Sequence, residues 1–545
     1  MGCKQTNNGA ENSKLLGQEP NEADTQTEVQ LGLKKYDEDI SITFLRELSV
    51  GLQELVSHLP DETIDKNRWT DLYKDELGIN VNYKWTSDGQ YYNQQLNYAI
   101  TSGHITDVMR VNPEQLRQLN NAGLIQDLTT VFEKYATPYT KSILSEDAID
   151  TLEVATINGR LMALPEPDFP IDRANFIWLR TDWLDALQLS PPKTIEEVNN
   201  IAIAFAKQDP DQNGIDDTFG LALTSYLFDP VMGAQAYMAG FNAFPELWIV
   251  NSESGELEYG GIQQEVKAAL LSLQQLYKDK IIDEEFSLKN GAKVKEAIQE
   301  SKIGLFYGEQ WGSFNAQVSR HSDPNANWSA FPIVGNGLEP VQVPLKFSPN
   351  VFYAVSKGYE HPEALIKMFN LHLEKNWGED SNYEYYYSNP YPVWQLSPVT
   401  PFPARKNYNA YLQLKDARET NDYSILEPEA KNIQKLIDKY KMGGEDSSDG
   451  WGWYRTYGEN GAFSILEQYI ANNQLKYDEF SGTRTETMIE VQSILYDLQH
   501  QTYINIILGN SIQQFDEFVQ KWNDLGGAQI TREVNEWYKS KHPIN

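Results

Sequence analysis

From Trp178 to Leu221 the chain reads WLRTDWLDALQLSPPKTIEEVNNIAIAFAKQDPDQNGIDDTFGL, and this stretch narrows the choice of fold more than any other. The pattern predicts a short helix, a break at Pro191 and Pro192, and a second helix opened by Thr194, with Glu197 reaching back to complete the cap. Ile195, Val198, Ile201 and Phe205 give that helix one apolar face, so it packs on a core. Asp209, Asp211, Asn213, Gly214, Ile215 and Asp217 come next, with oxygen donors at alternate positions and glycine at the sixth. A calcium loop of the EF-hand type starts this way: odd-numbered side chains converge on the ion and the seventh residue offers its carbonyl. The expected ligands are Asp209, Asp211, Asn213 and Asp217 through side chains and Ile215 through its backbone. The twelfth position is Gly220, where a signalling loop carries a bidentate Glu, so the ion is expected to be structural. An Asx-rich turn without an ion is the competing reading.

Length and charge exclude several functions. At 545 residues the chain exceeds one compact core, and two lobes are expected. A net charge of −33 argues against nucleic acid and against a polybasic membrane surface. No apolar run approaches the ~20 residues of a membrane span. The one cysteine, Cys3, rules out an intramolecular disulfide.

Residues 1–36 are polar and without hydrophobic period, which predicts a disordered tether. Its head, Met1-Gly2-Cys3 with Thr6, fits N-myristoylation; it equally fits a bacterial lipoprotein whose signal peptide is replaced by Met1. Both put a lipid at one end of a flexible linker.

Beyond Asp39, strand-like and helix-like segments alternate: ISITFLREL, a helix closed by Gly78, a strand from Ile79 to Trp85, a helix through Tyr92 to Ile100, and a buried strand after Gly103. That alternation predicts an α/β lobe. LMALPEPDFPIDRANFIWLR, with three prolines, reads as a crossing between lobes. The strand IGLFYGEQ ends at Trp311-Gly312, which sets the indole at a mouth. GWGWYRTYGENGAF reads as a Gly-flanked aromatic loop, and the C-terminal region as helical.

These pieces resemble the large family-one extracellular solute-binding proteins, the carbohydrate receptors of ABC importers in Gram-positive bacteria. The likeness rests on SGHITDV, LRTDWLDALQLSPPKTIEE, DPDQNGIDD before Thr-Phe-Gly, IGLFYGEQWGS and FDEFVQKWNDLGGAQITREVNEWY. It is nearest to the LplA-like lipoproteins and more distant from the calcium-containing alginate receptors. His104 and Thr106 depart from the family's usual Asp and Pro, and Thr218 stands where the alginate receptors carry an acidic calcium ligand. The resemblance implies a two-lobed periplasmic-binding-protein-like α/β fold, with lobe one at 37–160 plus about 325–400 and lobe two at 161–324 plus about 401–545. It further implies a lipidated Cys3 at the outer face of the cell membrane, a monomer, and a permease with its ATPase as partners.

Sugar rings carry an apolar face that flat aromatic side chains match, with polar groups fixing the hydroxyls. The family's equivalent of Trp311 stacks on ligand; Trp451, Trp453, Tyr454 and Arg455 are candidates for a second wall, with Trp85 on lobe one. Arg46, Glu47 and Glu166 match cleft positions of the alginate receptors, and Glu309 and Asp107 stand beside the same openings. The alternative class is a glycoside hydrolase, but 78 acids make chance carboxylate pairs common, and no nucleophile elbow, His-rich metal motif or phosphate loop is present.

Overall fold

The computed structural model describes residues 31–145, 151–167, 171–337, 340–346, 349–443 and 450–542. The strands that organise it are β1 (Ile40–Leu48), β2 (Ile79–Asp88), β3 (Val108–Val111), β4 (Leu164–Pro165), β5 (Phe176–Arg180), β6 (Leu305–Gly308), β7 (Trp328–Phe331), β8 (Val343–Leu345), β9 (Phe352–Val355) and β10 (Leu475–Tyr477). Five of them make one sheet in the order β2-β1-β3-β9-β4. In it β1 runs parallel to β2 and β3, while β9 is antiparallel to both β3 and β4. A second, antiparallel sheet has the order β6-β5-β7, and β8 pairs in parallel with β10.

Each sheet nucleates its own core. One cluster gathers Ile42, Phe44, Trp69, Val108, Leu164, Phe352 and the helix Glu363–Trp377. The other gathers Trp178, Trp183, Phe205, Trp328, Leu345, Trp451 and Phe463. The chain passes from the first core to the second after β4, returns between β8 and β9, and leaves again after Val399. The fold is therefore two lobes of mixed helix and sheet, as the alternation of segments implies. Among the described residues no helix is long and apolar enough to cross a membrane.

Local chemistry explains most boundaries. Thr194 caps the helix Ile195–Lys207 by accepting the Glu197 N–H at 3.2 Å. Glu197 reaches one residue further back than expected, to the Lys193 N–H at 2.6 Å. Trp178–Arg180, expected to open a helix, instead ends β5, whose five residues are all buried; apolar runs of this length suit a strand covered on both faces.

Three expectations shift. The segment from about 325, assigned to lobe one, belongs to the second core: β7 pairs with β5, Trp328 is fully buried, and the Asn327 N–H donates to Asp182 at 3.2 Å. The return to lobe one comes after β8. Composition extends the tether to residue 36, yet Gly32 is already packed, its carbonyl accepting from Asn370 at 3.0 Å; a Cβ there would lie 2.6 Å from the Tyr135 carbonyl. The aromatic segment Trp451–Tyr457 is a helix, not a loop, because its fourfold spacing stacks Trp453 on Tyr457.

Arg180 is the polar centre of the second lobe. It is 1% exposed, ion-paired to Asp182 at 2.5 Å and Asp323 at 2.8 Å, and lies over the Trp183 ring at 4.8 Å. Arg180→Ala removes a buried guanidinium and its packing on Trp183 and leaves two partly solvated carboxylates, so it is expected to cost about 2–3 kcal/mol, below the full penalty of a stranded buried charge, read as an earlier urea transition.

Candidate functional site

Because β1, β2, β3 and β4 point the same way and β9 the other, the ends Leu48, Asp88, Val111 and Pro165 and the start Phe352 share one edge of the first sheet. The first and second passes between lobes meet the sheet at this edge, so it faces the gap. Openings outside carboxyl ends of strands are where α/β folds place ligands. A β-bulge between Phe44 and Leu45 buries both residues and re-aims the end of β1. Arg46 and Glu47 then line a cavity of about 160 Å³ with Tyr83, Tyr92, Arg110 and Trp394.

The groups behind this cavity form one network. Glu166, in the first pass, accepts from the Thr400 hydroxyl at 2.6 Å and the Tyr353 hydroxyl at 3.1 Å. Thr400 lies in the third pass, and Tyr353 sits just past the second. Burial pushes the Glu166 carboxyl up, and the nearby Arg110 guanidinium opposes that rise. Arg110 itself is held cationic by Tyr353 and Glu166 against its own burial. Arg46 donates to the Ser397 carbonyl at 2.8 Å and to the Gln395 carbonyl, so its guanidinium fastens the third pass. The Tyr83 hydroxyl beside it is buried without a partner.

The other residues singled out by sequence are more scattered. Trp85 is half-buried, its ring 5.9 Å from Tyr92. Asp107 lies at the opposite edge of the sheet, at the amino end of β3, where it accepts the Thr43 N–H at 2.8 Å and hydroxyl at 2.6 Å; it clamps two strands and does not stand at an opening. Trp311 comes after β6 and is 38% exposed, with its indole N–H fixed on Glu309 at 2.8 Å. Trp451 is fully buried in the second core and leaves the candidate wall. Trp453 packs edge-on to Phe314, and Tyr454 lies 5.3 Å from Tyr440, both half-buried. Arg455 lies over Trp451 and Tyr454 and donates to Ser329 and Asn327.

In the acidic loop, Asp209 accepts the N–H groups of Asn213 at 3.1 Å and Gly214 at 3.0 Å, and Asn213 donates to Asp211 at 2.7 Å. Gly214, at φ +77°, makes the turn that a Cβ would strain. The Ile215 side chain is 58% exposed, which leaves only its carbonyl to serve a site. Asp217 Oδ1 is buried without a partner. Burial, then Asp209 and Asp217, push the Asp211 carboxyl up. These oxygen types fit a hard cation, but the loop is closed on its own hydrogen bonds. Among the described residues no three His, Cys, Asp or Glu converge closely enough to hold a metal.

The family model described as "Bacterial extracellular solute-binding protein" matches residues 57–375, more than half of the chain. The chain belongs to this family. Among curated relatives, the Bacillus subtilis polygalacturonan/rhamnogalacturonan-binding protein YtcQ is 23% identical over 82% of this chain and 83% of its own. Lipoprotein LipO of B. subtilis is 24% identical over 51% of this chain and 53% of its own. Among solved structures, the Streptococcus pneumoniae ABC-transporter substrate-binding protein FusA with kestose superposes at a TM-score of 0.63, with 14% identity, over 92% of this chain and 99% of that one. An EF-hand mutant of FusA with fructo-nystose gives 0.60 at 14% identity, over 92% and 99%.

Sequence reasoning missed Arg110, Tyr353 and Thr400. A charged residue inside the short apolar strand VMRV is the one signal that marks Arg110. It also missed a second cavity of this solute-binding protein, of about 80 Å³, where Arg117 and Phe352 of lobe one meet Glu246, Lys346, Asp478 and Arg484 of lobe two. Asp478 accepts the Trp248 N–H at 3.0 Å and the Phe480 N–H at 3.3 Å, and burial pushes its carboxyl up to about 7. In the unfolded chain an Asp titrates near ~3.9. Between those values the folded state holds a proton that the unfolded state has lost, so stability falls as pH rises from about 4 to about 7. Asp478→Asn is expected to flatten that slope in melts recorded across the window.

Proposed function

We propose that this protein captures an oligosaccharide between its lobes outside the cell and passes it to the permease of an ABC importer. The observation that carries the reading is Trp311: a large ring left 38% exposed at the end of a strand, its N–H already spent on Glu309, so that its faces are what it offers. A flat apolar ring beside a carboxylate suits a pyranose or furanose face and its hydroxyls. The FusA complexes with kestose and fructo-nystose and the polysaccharide-binding YtcQ support the same class of ligand. In this reading Glu309, Trp453, Tyr454 and Arg455 belong to one wall, and Arg46, Glu47, Glu166 and Trp85 to the other. Closure is a hinge motion in which the three passes absorb the rotation, and the ligand must hold the closed state better than the open one.

Two further parts complete the proposal. Cys3, outside the described residues, carries the lipid that anchors the chain to a Gram-positive cell surface; the lipoprotein LipO supports this. The acidic loop takes a structural calcium ion, with Asp209, Asp211, Asn213 and Asp217 giving side-chain oxygens and Ile215 its carbonyl. The buried unpartnered oxygen of Asp217 and the FusA EF-hand mutant support that assignment.

Trp311→Ala is expected to weaken oligosaccharide binding by about 1–3 kcal/mol, from the apolar area a stacked indole buries. Calorimetry with a fructo-oligosaccharide series checks it, and the half-exposed position leaves the melting temperature unchanged. A chelator is expected to lower the melting temperature and added calcium to restore it, since an ion held at a hundredfold its dissociation constant contributes about 2.7 kcal/mol.

A further inference from the structure

The cavity of about 80 Å³ between the lobes is not part of the proposed sugar cleft. Successive side chains of a strand point to opposite faces, and in β9 Phe352 lines this cavity while Tyr353 bonds to Glu166. The two openings therefore lie on opposite faces of the first sheet. Contacts between lobes are made on this side: the Thr483 hydroxyl lies 3.4 Å from the Val154 carbonyl and 3.3 Å from the Thr156 carbonyl, and Lys541 pairs with Glu153.

We propose that this cavity is a second binding site, for a small oxyanion of the carboxylate or phosphate class. Its charges are unusual for a chain of net charge −33. Three cations line it, Arg117, Lys346 and Arg484, with two acids, Glu246 and Asp478. Lys346 is neutralised by its half-buried ion pair with Glu246. Burial pushes the Asp478 carboxyl up to about 7, and its Oδ1 is taken up by the Trp248 and Phe480 N–H groups. That leaves the two arginines. Arg117, from lobe one, has a buried Nε without a partner, and its one ion pair among the described residues is with Glu486, at 3.8 Å, whose side chain is 77% exposed. Arg484, from lobe two, has no hydrogen bond or ion pair with a described residue. Two guanidinium groups from opposite lobes line one small cavity, and an oxyanion between them can accept from both and bridge the lobes. The cavity has about half the volume of the one beside Arg46, which suits a small ion. Leu116, Trp248 and Phe480 give the cavity an apolar floor, which strengthens a charged contact made above it.

The test uses the full chain without sugar, so its failure leaves the oligosaccharide reading untouched. Melting temperature is followed while sodium phosphate, sulfate or acetate replaces sodium chloride at constant ionic strength. At least one of the three is expected to raise it saturably above chloride. Arg484→Gln and Arg117→Gln are each expected to raise the half-saturating concentration by about tenfold or more, the worth of one charge-assisted hydrogen bond. Arg532→Gln, on the exposed face of the last helix, keeps the wild-type response. If Arg117→Gln fails to fold, Arg484→Gln decides alone. The proposal is overturned if all three oxyanions track chloride, or if the folded arginine variants respond as wild type does.

Discussion

Three separate passes of the chain between two lobes are gathered by one half-buried carboxylate. Glu166 belongs to the first pass, and it accepts hydrogen bonds from Tyr353, just past the second, and from Thr400, in the third. Arg110 opposes the rise that burial imposes on the Glu166 carboxyl. Arg46 fastens the third pass a few residues earlier through two backbone carbonyls. A hinge made of three independent strands would have three sets of soft dihedrals. Directed hydrogen bonds among these groups tie the three to one another instead.

This arrangement changes what the charged residues at the first-lobe edge are for. Arg46 and Glu166 enter as cleft candidates through the family resemblance, and the structure sets both at the carboxyl ends of strands. Their partners lie 187 to 351 residues away in sequence, and no pattern of local spacing encodes such pairs. The readable features were the ones with local causes: the Thr194 cap, the strand alternation that separates two α/β lobes, and an aromatic beside a glycine at the end of β6. Those that went astray were decided by distant packing. Trp451–Tyr457 has the glycines of a loop, yet its rings find Phe314, Tyr440 and Phe463 and wind into a helix. Asp107 has the chemistry of a ligand contact, but the parallel pairing of β1 with β3 delivers it to Thr43 at the far edge.

Charge in the second lobe obeys the same logic at a different scale. Arg180 is enclosed by two carboxylates and two indoles, which is why β5 can end in a guanidinium and still be buried throughout. The acid that binds it, Asp182, also receives the Asn327 N–H, so a single ion pair fixes the entry of β7 into the sheet. The segment from about 325 is assigned to lobe one in sequence because the group that holds it in the second lobe lies 145 residues upstream, beyond the reach of local pattern.

The two faces of the first sheet are built alike. On one, Glu166 and Arg110 face each other behind the edge that carries Arg46 and Glu47; on the other, Lys346, one residue past β8, is locked to Glu246 beside Asp478. The second pass runs between them, entering at Lys346 and leaving at Phe352, so neither face can rearrange without moving a strand that the other also holds. Rotation that narrows the gap on the Trp311 side must widen the opposite one if the passes are the pivot. An anion bridging Arg117 and Arg484 would then favour the open form by as much as a bound sugar weakens its hold on that anion, because coupling between two sites on one protein is reciprocal.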